Sequence, residues 1–251
     1  MFKTVDILGV PIAAVNMKQA VATIEECILN NHKAYVTVTG VHGIMESQYD
    51  KELRNIHRNA RLCVPDGMPT VWIGKLKGHR NMTRVYGPDL MLEIMKRSII
   101  KGYNHFFYGG KQGVPELLRD RLANRFPGLK VVGVFSPPFR PLNKKEENDL
   151  QEMIAELSPD IIWVGLSTPK QERWMASHID RLSTKVMIGV GAAFDFHTGL
   201  VKQAPAILQR AGLEWFFRLC VEPKRLWKRY LKNNPLFIWN FMLQSLGIKK
   251  Y

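Results

Sequence analysis

Asp160-Ile161-Ile162-Trp163-Val164-Gly165 and Lys185-Val186-Met187-Ile188-Gly189-Val190, joined through an amphipathic stretch Gln171–Leu182, decide the fold. Short, unbroken apolar runs of this kind belong to strands covered on both faces. A helical stretch between two such strands is the crossover that parallel pairing requires, and it should be right-handed. Working outward, the same alternation recurs. Ala34–Thr39, Leu62-Cys63-Val64, His105–Tyr108 and Lys130–Phe135 read as strands. Asn16–Asn30, Val41–Asn59, a helix starting near Met68, Gly87–Lys101, Val114–Phe126 and a helix from Asn143 to Leu157 read as helical. Asn143 with Glu146 three residues on has the form of a capping box. Phe2–Leu8 and Ile12–Val15 suggest a small antiparallel pair turning at Gly9-Val10-Pro11. The expected class is α/β: an open, mostly parallel sheet with helices on both faces, Rossmann-like in arrangement.

After about Leu200 the rhythm changes to helical, basic and aromatic sequence. This gives an expected division into an α/β catalytic domain, 1–200, and a helical appendage, 201–251. With 251 residues and 46% hydrophobic composition, the chain can bury one sizeable core, and disorder is not its default. The segment Met1-Phe2-Lys3-Thr4-Val5-Asp6 has no basic-then-apolar export signal. Cys27, Cys63 and Cys220 have no paired spacing, which argues against zinc and a disulfide framework and fits a reducing cytoplasm.

The formal net charge is +14, and about half of it lies in Arg210–Tyr251, where nine Lys/Arg face only Glu214 and Glu222. Such a tail points to an anionic partner: nucleic acid, anionic lipid or a phosphorylated substrate. Arg218, Arg225 and Arg229 recur at helical spacing, with Pro223 expected to break the helix between the first and second. Trp215, Phe216, Trp227, Tyr230, Phe237, Trp239 and Phe241 add an aromatic surface suited to a membrane interface. The stretch Pro235–Ile248 is too short, and too interrupted by Asn240 and Gln244, to span a bilayer.

Three loops at strand ends concentrate polar chemistry, and in open α/β sheets that rim is where ligands bind. The first is Thr37-Val38-Thr39-Gly40-Val41-His42, whose hydroxyls can bond a sugar or phosphate. The second is Val64-Pro65-Asp66-Gly67-Met68-Pro69, where Pro65 and Gly67 force a turn that presents Asp66, as an acid for chemistry or as a helix cap. The third is Gly165-Leu166-Ser167-Thr168-Pro169-Lys170-Gln171-Glu172, a strand-to-helix turn offering N–H groups to an anion, with Gln171 in reach of a sugar. Arg84, set among apolar residues, suits either a phosphate or a salt bridge. Gly189-Val190-Gly191-Ala192-Ala193-Phe194 imitates a dinucleotide fingerprint, but Phe194 occupies its third glycine position. Gly109-Gly110-Lys111-Gln112-Gly113 lacks the Gly-Lys-Ser/Thr of a phosphate loop and reads as a turn. No Asp-any-Asp triplet occurs, and His42 and His197 lack metal-ligand spacing, so neither a metal nor another cofactor is called for.

Taken together and in order, these motifs resemble the WecG/TagA/CpsF glycosyltransferases of bacterial surface-polymer synthesis over nearly the whole chain. The matching stretches are Pro65–Pro69 with Val71-Trp72, Arg84–Leu90, Gly109-Gly110-Lys111, Pro137-Pro138-Phe139, Val164–Glu172, Gly189–Asp195, and Leu213-Glu214-Trp215 through Tyr230. The resemblance implies inverting transfer of a hexose or N-acetylhexosamine from a UDP-sugar to a polyprenyl-diphosphate-linked sugar at the cytoplasmic membrane face. It implies Asp66 as catalytic base with Thr37 beside it, and Arg84 and Gln171 in the pocket. It also implies Arg218, Arg225 and Arg229 on the nucleotide diphosphate. Many members carry Thr-any-Asn in the first loop; Thr39 stands here at the Asn position, a departure that bears on which sugar is taken, the best-known members using N-acetylmannosamine. The expected partners are therefore a UDP-sugar donor, a lipid-linked acceptor and the membrane surface, and a homo-oligomer is compatible. The competing class, a nucleic-acid-binding protein using the basic aromatic tail, explains the charge but leaves the three loops unused.

Overall fold

The computed structural model describes residues 2–251. In chain order its elements are β1 (Thr4–Ile7), β2 (Val10–Ala13), α1 (Met17–Leu29), β3 (Ala34–Thr39), α2 (Val41–Tyr49), α3 (Lys51–Asn59), β4 (Leu62–Pro65) and α4 (Met68–Leu76). There follow α5 (Gly87–Lys101), β5 (Asn104–Gly109), α6 (Val114–Arg125), β6 (Lys130–Phe135), α7 (Lys144–Leu157), β7 (Ile161–Gly165), α8 (Lys170–His178) and β8 (Val186–Gly189). The chain closes with α9 (Ala193–His197), α10 (Ala206–Arg210), α11 (Glu214–Val221) and α12 (Pro223–Ser245). The main sheet runs β4-β3-β8-β7-β5-β6, parallel and flanked by helices, as the βαβ pattern requires. The chain forms two compact units, one of residues 1–17, 38–86 and 202–251, the other of 18–37 and 87–201.

The second unit holds β8, β7, β5 and β6 with most of β3. Phe106, Phe107, Ile161, Ile162, Trp163, Val186, Met187 and Ile188 are all sealed from solvent, which explains why their strands read as continuous apolar runs. Trp163 Nε1 donates to His105 Nδ1 at 2.9 Å, while His105 Nε2 is buried with no hydrogen-bond partner among the described residues. Burial drives the His105 pKa down to about 4, against a small opposing pull from Asp160. The α7 capping box is present in both halves: Asn143 Oδ1 accepts from Glu146 N at 3.0 Å, and Glu146 Oε2 accepts from Asn143 N at 2.8 Å. Helix α8 stops at His178, short of the expected Leu182; Arg181 N and Leu182 N both turn back onto His178 O.

The first unit is built round the β1–β2 hairpin, whose Val5, Ile7, Leu8, Val10 and Ile12 pack with Ile44, Met45, Cys63, Ile73 and Phe237. The hairpin turn is Leu8-Gly9, with φ of 53° and 79°, rather than Gly9-Val10-Pro11. A two-residue turn with both φ positive matches the twist of the flanking strands, which frees Val10 and Pro11 to join β2. The stretch Val41–Asn59, expected as one helix, is two. Asp50, at φ −134° and ψ 96°, ends α2 and caps α3 by accepting from Leu53 N at 3.0 Å. The break expected at Pro223 is present, since α11 ends at Val221 and Pro223 opens α12 as a first-turn proline. Gln244, near the end of α12, accepts from Leu8 N at 3.1 Å and donates to Asp6 Oδ1 at 2.7 Å. The last helix is thus pinned to the first hairpin.

Candidate active site

In the first unit β4 delivers Asp66 to a turn held on three sides. Its own N–H donates to Thr39 O at 3.1 Å, and Val85 N donates to Pro65 O at 2.9 Å. Thr70 Oγ1 donates to Gly67 O at 2.7 Å. The N-cap of α4 is Gly67, so Asp66 stands one position ahead of the cap. Its side chain is half-buried, with Oδ2 3.8 Å from where a Cβ on Gly40 would stand. The end of the first loop and the acid of the second are thereby neighbours.

Thr39, buried, faces His57 with Oγ1···Nδ1 at 3.4 Å, and Cys63 Sγ lies 3.8 Å from the same ring nitrogen. Burial pushes the His57 pKa down to about 4, so the ring is neutral at pH 7.

Arg84 sits against the Asp66 turn. Its Nε donates to the Asp66 carbonyl, Nη1 to Gln209 Oε1 at 3.2 Å, and Nη2 to Glu214 Oε2. The guanidinium lies over the Tyr86 ring, 3.9 Å from its centroid, and the Tyr86 hydroxyl donates to Glu214 Oε1 at 2.9 Å. Burial acts to lower the Arg84 pKa, but the charges of Asp66 and Glu214 outweigh it and the net shift is upward. Tyr86 is raised by burial first and then by Glu214 and Asp66. Glu214, Tyr86 and Gln209 are site residues that sequence reasoning missed. A signal for Glu214 existed: Arg84 among apolar residues demands an anionic partner once buried.

The three C-terminal arginines are also in this unit. Arg218 Nη2 lies 3.8 Å and Arg225 Nη2 2.8 Å from Glu222 Oε2. Arg229 lies one turn beyond Arg225 on α12. Its Nε is shut off from solvent with no hydrogen-bond acceptor among the described residues. Its pKa falls to about 10, through burial first and then repulsion from Arg218 and Arg225, with Tyr230 and Glu46 opposing. A buried cation among two others favours an incoming anion.

The second unit carries Thr37 and Gln171. Thr37 is fully buried on β3, in register with Gly189 of β8. Gln171 is buried, and its amide is engaged at both ends: Oε1 accepts from Gly191 N and Nε2 donates to Glu172 Oε1, each at 3.0 Å. Thr168 Oγ1 donates to the same Glu172 oxygen at 2.9 Å. A Cβ on Gly189 would come 3.1 Å from Gln171 Nε2, so glycine there lets the amide lie across the strand end. Phe194 fills the end of the sheet: its ring stands 2.5 Å from where a Cβ on Gly165 would be and meets Phe107 edge-on at 5.7 Å.

On α11 and α12, Trp215, Phe216, Trp227, Leu231, Ile238, Trp239 and Met242 are exposed. No helix among the described residues is long and apolar enough to cross a membrane.

The profile of the WecG/TagA/CpsF glycosyl transferase family matches residues 5–251. The chain belongs to this family. Among relatives of this WecG/TagA/CpsF protein is an N-acetylglucosaminyldiphosphoundecaprenol N-acetyl-β-D-mannosaminyltransferase of Bacillus spizizenii, 30% identical over 84% of this chain and 80% of the relative. Enzymes of the same name from Bacillus subtilis (30% identical, 72% of this chain and 69% of the relative) and Staphylococcus aureus (27%, 98% and 95%) are similar too.

Proposed function

We propose that the chain transfers an N-acetylhexosamine, N-acetylmannosamine by analogy with its relatives, from a UDP-sugar to a polyprenyl-diphosphate-linked N-acetylglucosamine in cell-wall polymer synthesis. The observation that carries this reading is the state of Arg229, a guanidinium with its Nε sealed and unaccepted, beside Arg218 and Arg225. Such a cluster suits the diphosphate of a leaving UDP.

In the proposed step the Asp66 carboxylate takes the proton of an acceptor hydroxyl as its oxygen attacks the anomeric carbon. The bond from that carbon to the β-phosphate oxygen breaks, and UDP departs with the electron pair. One displacement inverts the anomeric centre. The arginines meet charge developing on the β-phosphate, and removing one such donor costs about 3–4 kcal/mol of transition-state stabilisation. No group of three or more His, Cys, Asp or Glu among the described residues is placed to hold a metal, which supports assigning this task to arginine. Thr37 and Thr39 are assigned to the end of β3, whose Thr39 carbonyl accepts from Asp66 N, and Gln171 to shaping the third loop. The exposed aromatic and Lys-bearing face of α11 and α12 is assigned to the cytoplasmic membrane surface, where the lipid-linked acceptor resides.

Asp66→Asn tests the reading. The variant should fold and bind UDP as the wild type does, while transfer from UDP-N-acetylmannosamine falls by about 10²–10⁴-fold. Near-normal turnover would remove Asp66 from the mechanism.

A further inference from the structure

Each of the three Arg84 nitrogens makes a hydrogen bond within the protein: Nε to the Asp66 carbonyl, Nη1 to Gln209, Nη2 to Glu214. Both oxygens of Glu214 are likewise used, one by Arg84 and one by the Tyr86 hydroxyl. The two charged side chains are each only 14% exposed. A guanidinium so occupied serves poorly as an open anion receptor. What it does hold is a backbone carbonyl in a turn where Gly67 follows, and a peptide plane before glycine resists rotation weakly. Glu214 is the first residue of α11, and Arg218 follows one turn later on the same helical face.

We propose that Glu214 is a positioning residue for the transfer reaction: by fixing Arg84 it fixes the Asp66 carbonyl, and with it the aim of the Asp66 carboxylate. The base is then aligned only when α11, which also carries Arg218, is in place. This role rests on Asp66 being the base. It differs from a role in donor binding, since Glu214 bears the same sign of charge as a diphosphate. It also separates Arg84 from the three C-terminal arginines, because Arg84 acts on the turn while they act on the leaving group.

A double-mutant cycle tests it, with UDP-N-acetylmannosamine and polyprenyl-diphosphate-linked N-acetylglucosamine as substrates. Glu214→Gln should retain its circular dichroism and melting transition, keep the KM for donor within about 2-fold, and lose kcat by about 10–100-fold, the scale of a misaimed catalytic group. In the Asp66→Asn background the same substitution should change the residual rate by less than about 2-fold, because the group it positions is already gone. Should Glu214→Gln fail to fold, Arg84→Lys carries the same cycle, since it keeps the charge but loses the fork that reaches carbonyl and carboxylate together. Costs that multiply across the two backgrounds, or a raised donor KM with kcat unchanged, overturn the positioning role and leave Asp66 as base. Wild-type turnover in Asp66→Asn alone overturns the base, and the positioning role with it.

Discussion

Gly40 and Asp66 lie side by side, with a Cβ on Gly40 placed 3.8 Å from Asp66 Oδ2 and 3.7 Å from Gly67 N. Both are ordinary contact distances, and Gly40 has φ −116° and ψ −164°, a conformation open to any residue. Gly40→Ala should therefore fold with a melting temperature within about 2 °C of wild type. The added methyl occupies space beside the carboxylate that an acceptor hydroxyl must reach. Transfer should fall by about 10-fold or more, in kcat/KM for the acceptor rather than the donor. Unchanged acceptor kinetics would mean that the acceptor approaches Asp66 from another side.

Arg229 should trade stability for function. Its folded pKa, about 10, is below its ordinary value of 12.5, so below pH 10 the protonated group disfavours the folded state. That cost diminishes only as pH rises from about 10 towards 12.5. Near pH 7 the cost is fully present, and Arg229→Met should melt higher than wild type by about 3 °C without ligand. Pyrophosphate or UDP should raise the wild-type melting temperature and leave the variant's nearly unchanged. Arg225→Ala should be the mildest of the three arginine variants in turnover, since its side chain is 54% exposed and engaged with Glu222. Differential scanning fluorimetry with and without pyrophosphate, beside transfer rates, decides both points.

Chelation should leave transfer intact. With phosphate charge assigned to Arg218, Arg225 and Arg229, activity in EDTA should stay within about 2-fold of the untreated rate. Activity abolished by EDTA and restored by Mg²⁺ or Mn²⁺ would move that task from the arginines to a metal.

His57 and His105 should give the protein an acid limit. Burial holds both near pKa 4, below the ordinary 6.5. Their contribution is fully present above pH 6.5 and is lost as pH falls from 6.5 to 4, because the unfolded chain binds the proton first. Each should cost about 2 kcal/mol of stability between pH 7 and pH 5. Urea unfolding at the two pH values measures the loss. NMR titration should show neither imidazole protonating above pH 5 in the folded protein.

Much of the sheet was legible because its strands are buried on both faces, so the apolar runs at Ile161–Gly165 and Val186–Gly189 carry their own boundaries. Ala34–Thr39 coincides with its sequence reading for the same reason, whereas Lys130–Phe135, a half-buried edge strand, was legible from its β-branched and aromatic residues. The hairpin turn was misplaced because Leu8 adopts a positive φ that its residue type does not advertise. The α2–α3 break was hidden because apolar spacing continues across Asp50, and only the cap geometry marks the end. The turn at Asp66 was legible from Pro65 and Gly67 on either side. Glu214 was not, since its meaning depends on Arg84, distant in sequence and joined to it by folding alone.

The unit that bears Asp66 is assembled from residues 1–17, 38–86 and 202–251, with 87–201 belonging elsewhere. On the ribosome these pieces emerge first, second and last. At ordinary elongation rates, about 10–30 s separate the appearance of Asp66 from that of Glu214. Through that interval the nascent chain holds an acidic turn with no clamp and no arginine cluster. On the proposed mechanism, a chain that ends before Glu214 lacks both the Arg84 clamp and the arginine cluster, so the last helices to be translated complete the site.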